Sequence, residues 1–473
     1  MEVALKADFR EMLTRLLGAA DAEALCRALD TPPETAVRLN PAKLSAPPSQ
    51  LSVAEAVPWC PEGFRLTERP QFALMPLWHA GAFYVQESSS MVLSAIAAEL
   101  AASAPGLRWL DLCAAPGGKT TAAIAALPSD ALVVANEFDP RRASVLVENV
   151  TKWGSPSTVV TRGDTAWVRK MPERFHVVAV DAPCSGEGMM RKEPMARQQW
   201  SPQLVASCAA LQREILSNAW EALMPGGTLV YSTCTFNRSE NEDNVRWLME
   251  TCGAESVPMP AAVASCGALP SLDRDIHALR FMPHVTNGEG LFIAILRKPG
   301  ELDSSTGKRE ERRKQKRASA SDATKKALAA KAAEWLAKPE NFTLRTDASG
   351  EITAIPTVHR ELVDEIAKRC PSVISCGLKI ASVKGRDLIP APELAFSTAL
   401  APEAFPTAAL NTEEALDYLR RGTAEAAEAL QRIENPPRGY MLAVSDGVAL
   451  GFIKNLGNRI NNLYPAAWRL RMN

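Results

Sequence analysis

The sequence predicts an α/β fold, a doubly wound and mainly parallel sheet with a helical N-terminal region before it and a smaller β-rich module after it. Three observations carry this expectation. Short β-branched runs alternate with helical patterns from Leu107 to Pro299, the signature of strand–helix–strand units with parallel pairing. A Gly-rich turn joins the first of these strands to a helix. Acids or thiols then fall at the ends of successive strands, the edge where open parallel sheets bind ligands.

The chain has 473 residues, enough for several domains, and is 47% hydrophobic, enough to bury sizeable cores. Its formal net charge of -1 gives no global sign of nucleic acid, but local charge does vary. Residues 1–100 read as a mostly helical domain with a Pro-rich middle (Pro47, Pro48, Pro58, Pro61). Met1 to Leu17 reads as an amphipathic helix, not a signal peptide. Residues 101–299 form the α/β domain and 300–338 a basic linker. Within that linker, Lys308 to Lys331 carries ten Lys/Arg against three Asp/Glu, a local net of +7. It suits phosphate contacts and a solvated linker equally. Residues 339–400 read as a small intermediate module, and 401–473 as a β-rich module ending in an Asn/Arg-rich tail. No apolar run is long enough to span a bilayer, so no membrane partner is expected. The ten cysteines show neither Cys-x-x-Cys nor zinc spacing, which predicts a reduced cytoplasmic protein with no metal site.

The first strand, Leu107 to Leu112, runs into Cys113-Ala114-Ala115-Pro116-Gly117-Gly118-Lys119 and then a helix of small residues. Adjacent glycines let backbone approach a ligand, and a helix start offers free N–H groups to a negative group. The spacing is neither that of a P-loop nor Gly-x-Gly-x-x-Gly, which disfavours nucleoside triphosphate and NAD chemistry. The second strand ends at Glu137, 19 residues after Gly118, where an acid is placed to bind ribose hydroxyls. The third leads to Asp164, which is placed to accept from an adenine amine. Taken singly, Glu137, Asp139 and Asp164 are ordinary turn or N-cap residues; taken in order they indicate a nucleotide cofactor.

The fourth strand, Phe175 to Asp181, delivers Asp181-Ala-Pro-Cys184, and the fifth, Leu229 to Thr233, delivers Cys234. Carbon 5 of cytosine is a poor nucleophile. A thiolate adding to carbon 6 makes the ring an enamine, whose carbon 5 attacks an electrophilic methyl group. That chemistry needs a reactive thiol, a group on the N3/N4 edge of the base, and a base for the departing proton. Cys234, Asp181 and Cys184 are candidates for these places. The other cysteines read as small core residues, and the lack of Cys-x-x-Cys argues against a redox pair.

These segments resemble a known family, the Sun-type RNA (cytosine-5) methyltransferases, and within it the bacterial RsmF type. The resemblance rests on Asp111 to Thr121, Asp181 to Gly188 and Tyr231 to Thr235, supported by Tyr84 to Ser90, Arg280 to His284 and Gly288 to Phe292. It implies a Rossmann-like methyltransferase that uses S-adenosyl-L-methionine. It implies that Cys234 is the nucleophile, that Cys184 aids product release, and that Asp181 contacts cytosine near the methyl donor. By the same resemblance Cys113 to Lys119 wrap the methionine and ribose part, Glu137 holds the ribose, Asp164 touches adenine, Arg142 lies near the cofactor and Lys119 near the base. The C-terminal segment resembles the PUA-like RNA-binding module of the RsmF type. The implied partner is ribosomal RNA of the small subunit, naked or assembled, met by a monomer. Arg191 and Lys192 are expected at the mouth of the site. Transfer RNA as substrate, and an RNA-binding ribosome-assembly role, are the rival readings.

Overall fold

In the computed structural model, which describes residues 3–302 and 320–472 except 103 and 386, the chain opens with a helical hairpin, Ala7–Leu17 and Ala19–Leu29. Gly18 turns the corner between them at φ +83°, a region open to glycine. Phe9, Leu13 and Leu25 line the hairpin's inner face and pack on Met190, Trp200, Phe236 and Met282 of the following domain.

The next stretch holds a four-stranded antiparallel sheet, which the helical expectation for residues 1–100 leaves out. Its strands are β1 (Ala36–Leu39), β2 (Val53–Val57), β3 (Cys60–Leu66) and β4 (Phe83–Val85), in the order β2-β3-β1-β4. They are short, and β2 is exposed along most of its length, so hydrophobic alternation gives little signal. Helix Val92–Ala101 then leads into the central sheet.

That sheet has a parallel core of β5 (Arg108–Asp111), β6 (Leu132–Glu137), β7 (Thr158–Arg162), β8 (Phe175–Asp181) and β9 (Leu223–Thr233), in the order β9-β8-β5-β6-β7. All five strands overlap those the sequence predicts, with β9 starting at Leu223, ahead of the expected Leu229. Each carries a near-continuous apolar run because helices cover both faces, as parallel sheets require. The order reverses beside β5, which places the loops after β5 and β8 at a topological switch point. The β9 edge is extended antiparallel by β13 (Leu291–Arg297), which pairs with the short β10 (Glu255–Ser256) and with β12 (Ala278–Phe281); β12 in turn pairs with β11 (Leu269–Pro270).

The stretch 339–400 does not stand apart as the sequence reading has it. It contributes β14 (Phe342–Thr346), β15 (Glu351–Pro356), β16 (Val373–Cys376), β17 (Leu378–Lys384) and β18 (Asp387–Pro390). β16 pairs antiparallel with β7 at the far edge of the central sheet. Leu362, Val363 and Ile366 of helix Arg360–Arg369 enter the central core. The apolar stripe of that helix needs cover, and the face beside β7 provides it. The basic stretch from Lys308 lies outside the described residues up to 319; helix Ala320–Ala333 follows.

The last module pairs β19 (Thr407–Ala409), β20 (Gly439–Ser445), β21 (Val448–Asn455) and β22 (Ile460–Asn462) in one sheet. Its core is continuous with the N-terminal sheet: Val37, Leu39 and Phe83 cluster with Tyr418, Met441 and Ile453. No helix among the described residues is long and apolar enough to cross a membrane.

Candidate active site

The turn after β5 is fixed from below. Asp111 is 2% exposed, and its Oδ2 accepts a 2.6 Å hydrogen bond from Thr120 Oγ1, which ties the strand end to the helix that follows. Burial pushes the Asp111 carboxyl up to about 7, against the pull of the Thr120 hydroxyl. Gly117 sits at φ +111°, so the backbone turns there into helix Gly118–Ala126 without a side chain in the way. The loop's outer flank is held by Arg142 Nη2, which donates to Ala115 O at 2.6 Å, and by Asn149 Nδ2, which donates to Pro116 O at 2.8 Å.

Glu137, at the end of β6, receives Ala115 N–H at 3.3 Å on one oxygen and Asp139 N–H at 2.9 Å on the other. Arg142 stands 3.6 Å from the same carboxylate. Asp139 caps its helix by accepting from Arg141 N and Arg142 N, so the bland reading holds for it. Asp164 caps the next short helix through one oxygen, from Ala166 N, and is exposed, which leaves the other oxygen to solvent. Asn136, which sequence reasoning missed, is the hub of this edge. Its amide donates to Leu112 O and Gly163 O, and its oxygen accepts from Thr161 and Trp167. One buried side chain therefore clips the loops after β5 and β7 to the end of β6.

The second half of the site stands on β8 and β9. Asp181 Oδ1 receives Ser232 Oγ at 2.8 Å and forms an ion pair with Lys119 Nζ at 2.9 Å. Lys119 thus joins the Gly-rich loop to the end of β8. Burial alone would lower the Lys119 ammonium, but Asp181, with smaller help from Glu87 and Cys234, outweighs it and raises it. Cys184 and Cys234 bring their Sγ atoms to 3.2 Å, and both are partly exposed. The hydrogen bond with Cys234 pushes the Cys184 thiol well up, with burial adding to it. Cys113, by contrast, is raised by burial first, as befits a thiol that packs.

The two cysteine loops are stitched by groups the sequence reading passed over. Glu187 is fully buried and accepts from Phe236 N, Asn237 N, Asn237 Nδ2 and Trp200 Nε1. Ser185 Oγ meets Thr235 Oγ1 at 2.9 Å, and Gly188 N donates to Cys234 O at 2.8 Å. The available signal was the run Asn237 to Asn244, dense in Asn and Glu directly after the Cys234 strand, where a surface loop would not bury them all. Arg280 proves structural: it makes a buried two-toothed pair with Glu242 at 2.7 Å. Arg191 is not free at the mouth of the site. Its guanidinium is spent on Thr31 and Pro32 of the N-terminal domain, because a long cation near a domain seam finds carbonyls there. Lys192 lies 3.6 Å from the buried Glu289.

A strand–Gly-turn–helix loop, an acid after the second strand, and two thiols across from an Asp–Lys pair are now on one sheet edge. The family model "16S rRNA methyltransferase RsmB/F" matches residues 98–297, which contain all of them. Residues 98–297 are thus similar to the catalytic part of the RsmB/F family. The N-terminal domain of 16S rRNA methyltransferase RsmF matches residues 5–88, and the RsmF PUA domain matches residues 405–470. The C-terminal module is thus a PUA domain. The chain is 38% identical over 310 residues to ribosomal RNA small subunit methyltransferase F of Cronobacter sakazakii, a match covering 62% of this chain and 62% of that relative. It is 39% identical over 290 residues to the protein of the same name from Salmonella paratyphi A, covering 58% of this chain and 59% of the relative. A solved methyltransferase homolog protein from Pyrococcus horikoshii is similar at a TM-score of 0.54 and 27% identity, over 63% of this chain and 96% of that one. The cradle fits S-adenosyl-L-methionine: the left-handed turn at Gly117 keeps side chains off the loop, and Asp164 leaves one carboxylate oxygen to solvent.

Proposed function

We propose that this chain methylates carbon 5 of cytosine in small-subunit (16S) ribosomal RNA through a covalent Cys234–cytosine adduct that Cys184 helps to resolve. The observation that carries the reading is the pair of partly exposed thiols 3.2 Å apart, beside a carboxylate held by Lys119. A single thiol would suffice for packing or for attack. Two at one edge, unbridged, fit a reaction that must both form and break a carbon–sulfur bond.

The Cys234 thiolate adds to carbon 6 of the base, and the electron pair moves onto carbon 5. Asp181, steadied by Lys119 and Ser232, holds the N3/N4 edge so that the ring can accept this charge. S-adenosyl-L-methionine supplies an electrophilic methyl group on a sulfonium centre. The carbon 5 proton then leaves to a base, the carbon–sulfur bond breaks, and the ring is restored. Cys184 stands where it can serve that release. Cys113, Ala114, Ala115, Pro116, Gly117, Gly118 and Lys119 would line the methionine side, with Glu137 on the ribose, Arg142 beside it and Asp164 on the adenine amine.

RNA affinity would come from residues 1–100, the basic stretch of residues 300–338 and the PUA domain, on a monomeric chain. The relatives' name supports the small subunit as the source of that RNA. Transfer of labelled methyl to unmodified small subunits, free 16S rRNA and bulk transfer RNA tests the reading. Label on a cytosine of the subunit or its rRNA is the expected result. Label on transfer RNA alone overturns the substrate, and no label on any of them overturns the activity.

A further inference from the structure

Two thiols at 3.2 Å share the fate of one proton, and the chain surrounds them unevenly. Behind Cys184 lies Glu240, fully buried. Its Oε2 accepts from the amide of Ser185, the residue after Cys184, at 3.0 Å and from Gln212 Nε2 at 2.7 Å; its Oε1 accepts from Asn237 Nδ2 at 2.7 Å. All three hydrogen bonds come from N–H donors, the pattern of an ionised carboxylate; burial, with Glu187, pushes the Glu240 carboxyl above its ordinary range, and the contacts from Ser185 and Asn237 oppose that rise. The amide orientations are forced. Gln212 Oε1 already accepts from Asn244, and Asn237 Oδ1 accepts from Glu240 N. Among the described residues no Lys or Arg pairs with Glu240. The other titratable groups around it add no positive charge: Glu187 is itself an acceptor, Tyr231 donates its hydroxyl to Glu240 O at 2.6 Å, and Cys208 lies on helix Pro202–Ala222.

The Cys234 side differs. There stands Lys119, whose ammonium feels the Cys234 sulfur as well as its partner Asp181. A cation favours a thiolate near it and a carboxylate disfavours one.

We propose that Glu240 is a positioning residue whose buried charge holds the shared proton on Cys184 and so leaves Cys234 as the attacking thiolate. The inference rests on the reading of Cys234 as nucleophile, and it explains why the two thiols divide their work in that direction. Consistent with the geometry, the hydrogen bond to Cys234 and burial raise the Cys184 thiol most, and Glu240 raises it further.

Alkylation of the full chain by iodoacetamide from pH 6 to 10, read at each cysteine by peptide mass spectrometry, tests this without RNA. Cys234 is expected to react about tenfold faster than Cys184 near neutral pH, and Glu240→Gln to narrow that ratio to about threefold or less. Glu240→Asp, which keeps the charge, should restore much of the ratio. Equal reactivity in the unaltered chain, or an unchanged ratio in a folded Glu240→Gln protein, overturns the role of Glu240. If Glu240→Gln loses its cooperative melt, Lys119→Met must narrow the ratio from the other side by slowing Cys234, and a ratio it leaves unchanged overturns the proposal equally. Methyl transfer by the unaltered chain is measured in parallel. Its absence overturns the functional reading, whereas a flat labelling ratio overturns only the assignment to Glu240.

Discussion

Cys184 and Cys234 meet across 3.2 Å from the ends of two neighbouring parallel strands, β8 and β9. Their roles should separate on mutation. Cys234→Ser is expected to lower methyl transfer by at least about a thousandfold, since a hydroxyl cannot replace the thiolate. Cys184→Ala should leave attack intact and slow release, so a protein–RNA adduct that survives denaturing electrophoresis accumulates. Normal turnover by Cys234→Ser would sink the nucleophile assignment.

Gly188 is where the two cysteine loops touch. A Cβ there would lie 2.8 Å from Cys234 O and 3.0 Å from Glu289 O, both backbone atoms that cannot swing away. Gly188→Ala should therefore cost about 1–3 kcal/mol of stability as an overpacked site. It should also lower the methylation rate by about ten- to a hundredfold through displacement of the Cys234 loop. Chemical denaturation and a single-turnover assay separate the two effects; an unchanged rate would show that the loop tolerates the shift.

Asp111 predicts a pH effect on stability. Burial first, opposed by the Thr120 hydrogen bond, raises its carboxyl to about 7, above an unfolded value of about 4. Between these values the folded chain keeps a proton that the unfolded chain has lost. Stability from this group is complete below about pH 4 and is lost as pH rises toward 7. Asp111→Asn keeps an acceptor for Thr120 and removes the titration. Relative to that variant, the unaltered chain should lose at least about 1 kcal/mol between pH 4.5 and 7.5. A constant difference between the two urea midpoints across that window would count against a buried, titrating Asp111.

The central sheet was legible because its strands are buried on both faces and punctuated by Gly and Pro turns; β8 falls on Phe175–Asp181 as read from the sequence. The candidate site residues were legible as candidates because they sit at strand ends. What stayed hidden depends on long-range pairing. Asn136 looks like a turn residue until Leu112, Thr161, Gly163 and Trp167 surround it. Arg191 looks like a free cation at the mouth of the site until the loop at Thr31 arrives from the N-terminal domain. The pairing of β16 with β7 joins residues more than two hundred positions apart, and its short strand carries no period that announces a partner.

The shared core of the N-terminal sheet and the PUA domain gives a last prediction. Val37, Leu39 and Phe83 are at most 3% exposed, and they cluster with Tyr418, Met441, Leu450 and Ile453 from the other end of the chain. Trp468 closes the seam, its ring 5.9 Å from Phe396 and 5.4 Å from Lys152 Nζ. A chain ending at residue 404 would expose that apolar face to water. At about 1.5–3 kcal/mol for each large side chain uncovered, the loss should reach several kcal/mol. The truncated chain should therefore melt lower, bind a hydrophobic dye and aggregate, even if its two thiols and the Lys119–Asp181 pair are intact. An appendage tethered only for RNA binding would behave differently: truncation would weaken RNA affinity and leave the melting temperature where it was. Calorimetry on both chains, with RNA affinity measured at several salt concentrations, distinguishes a structural wall from a detachable binding module.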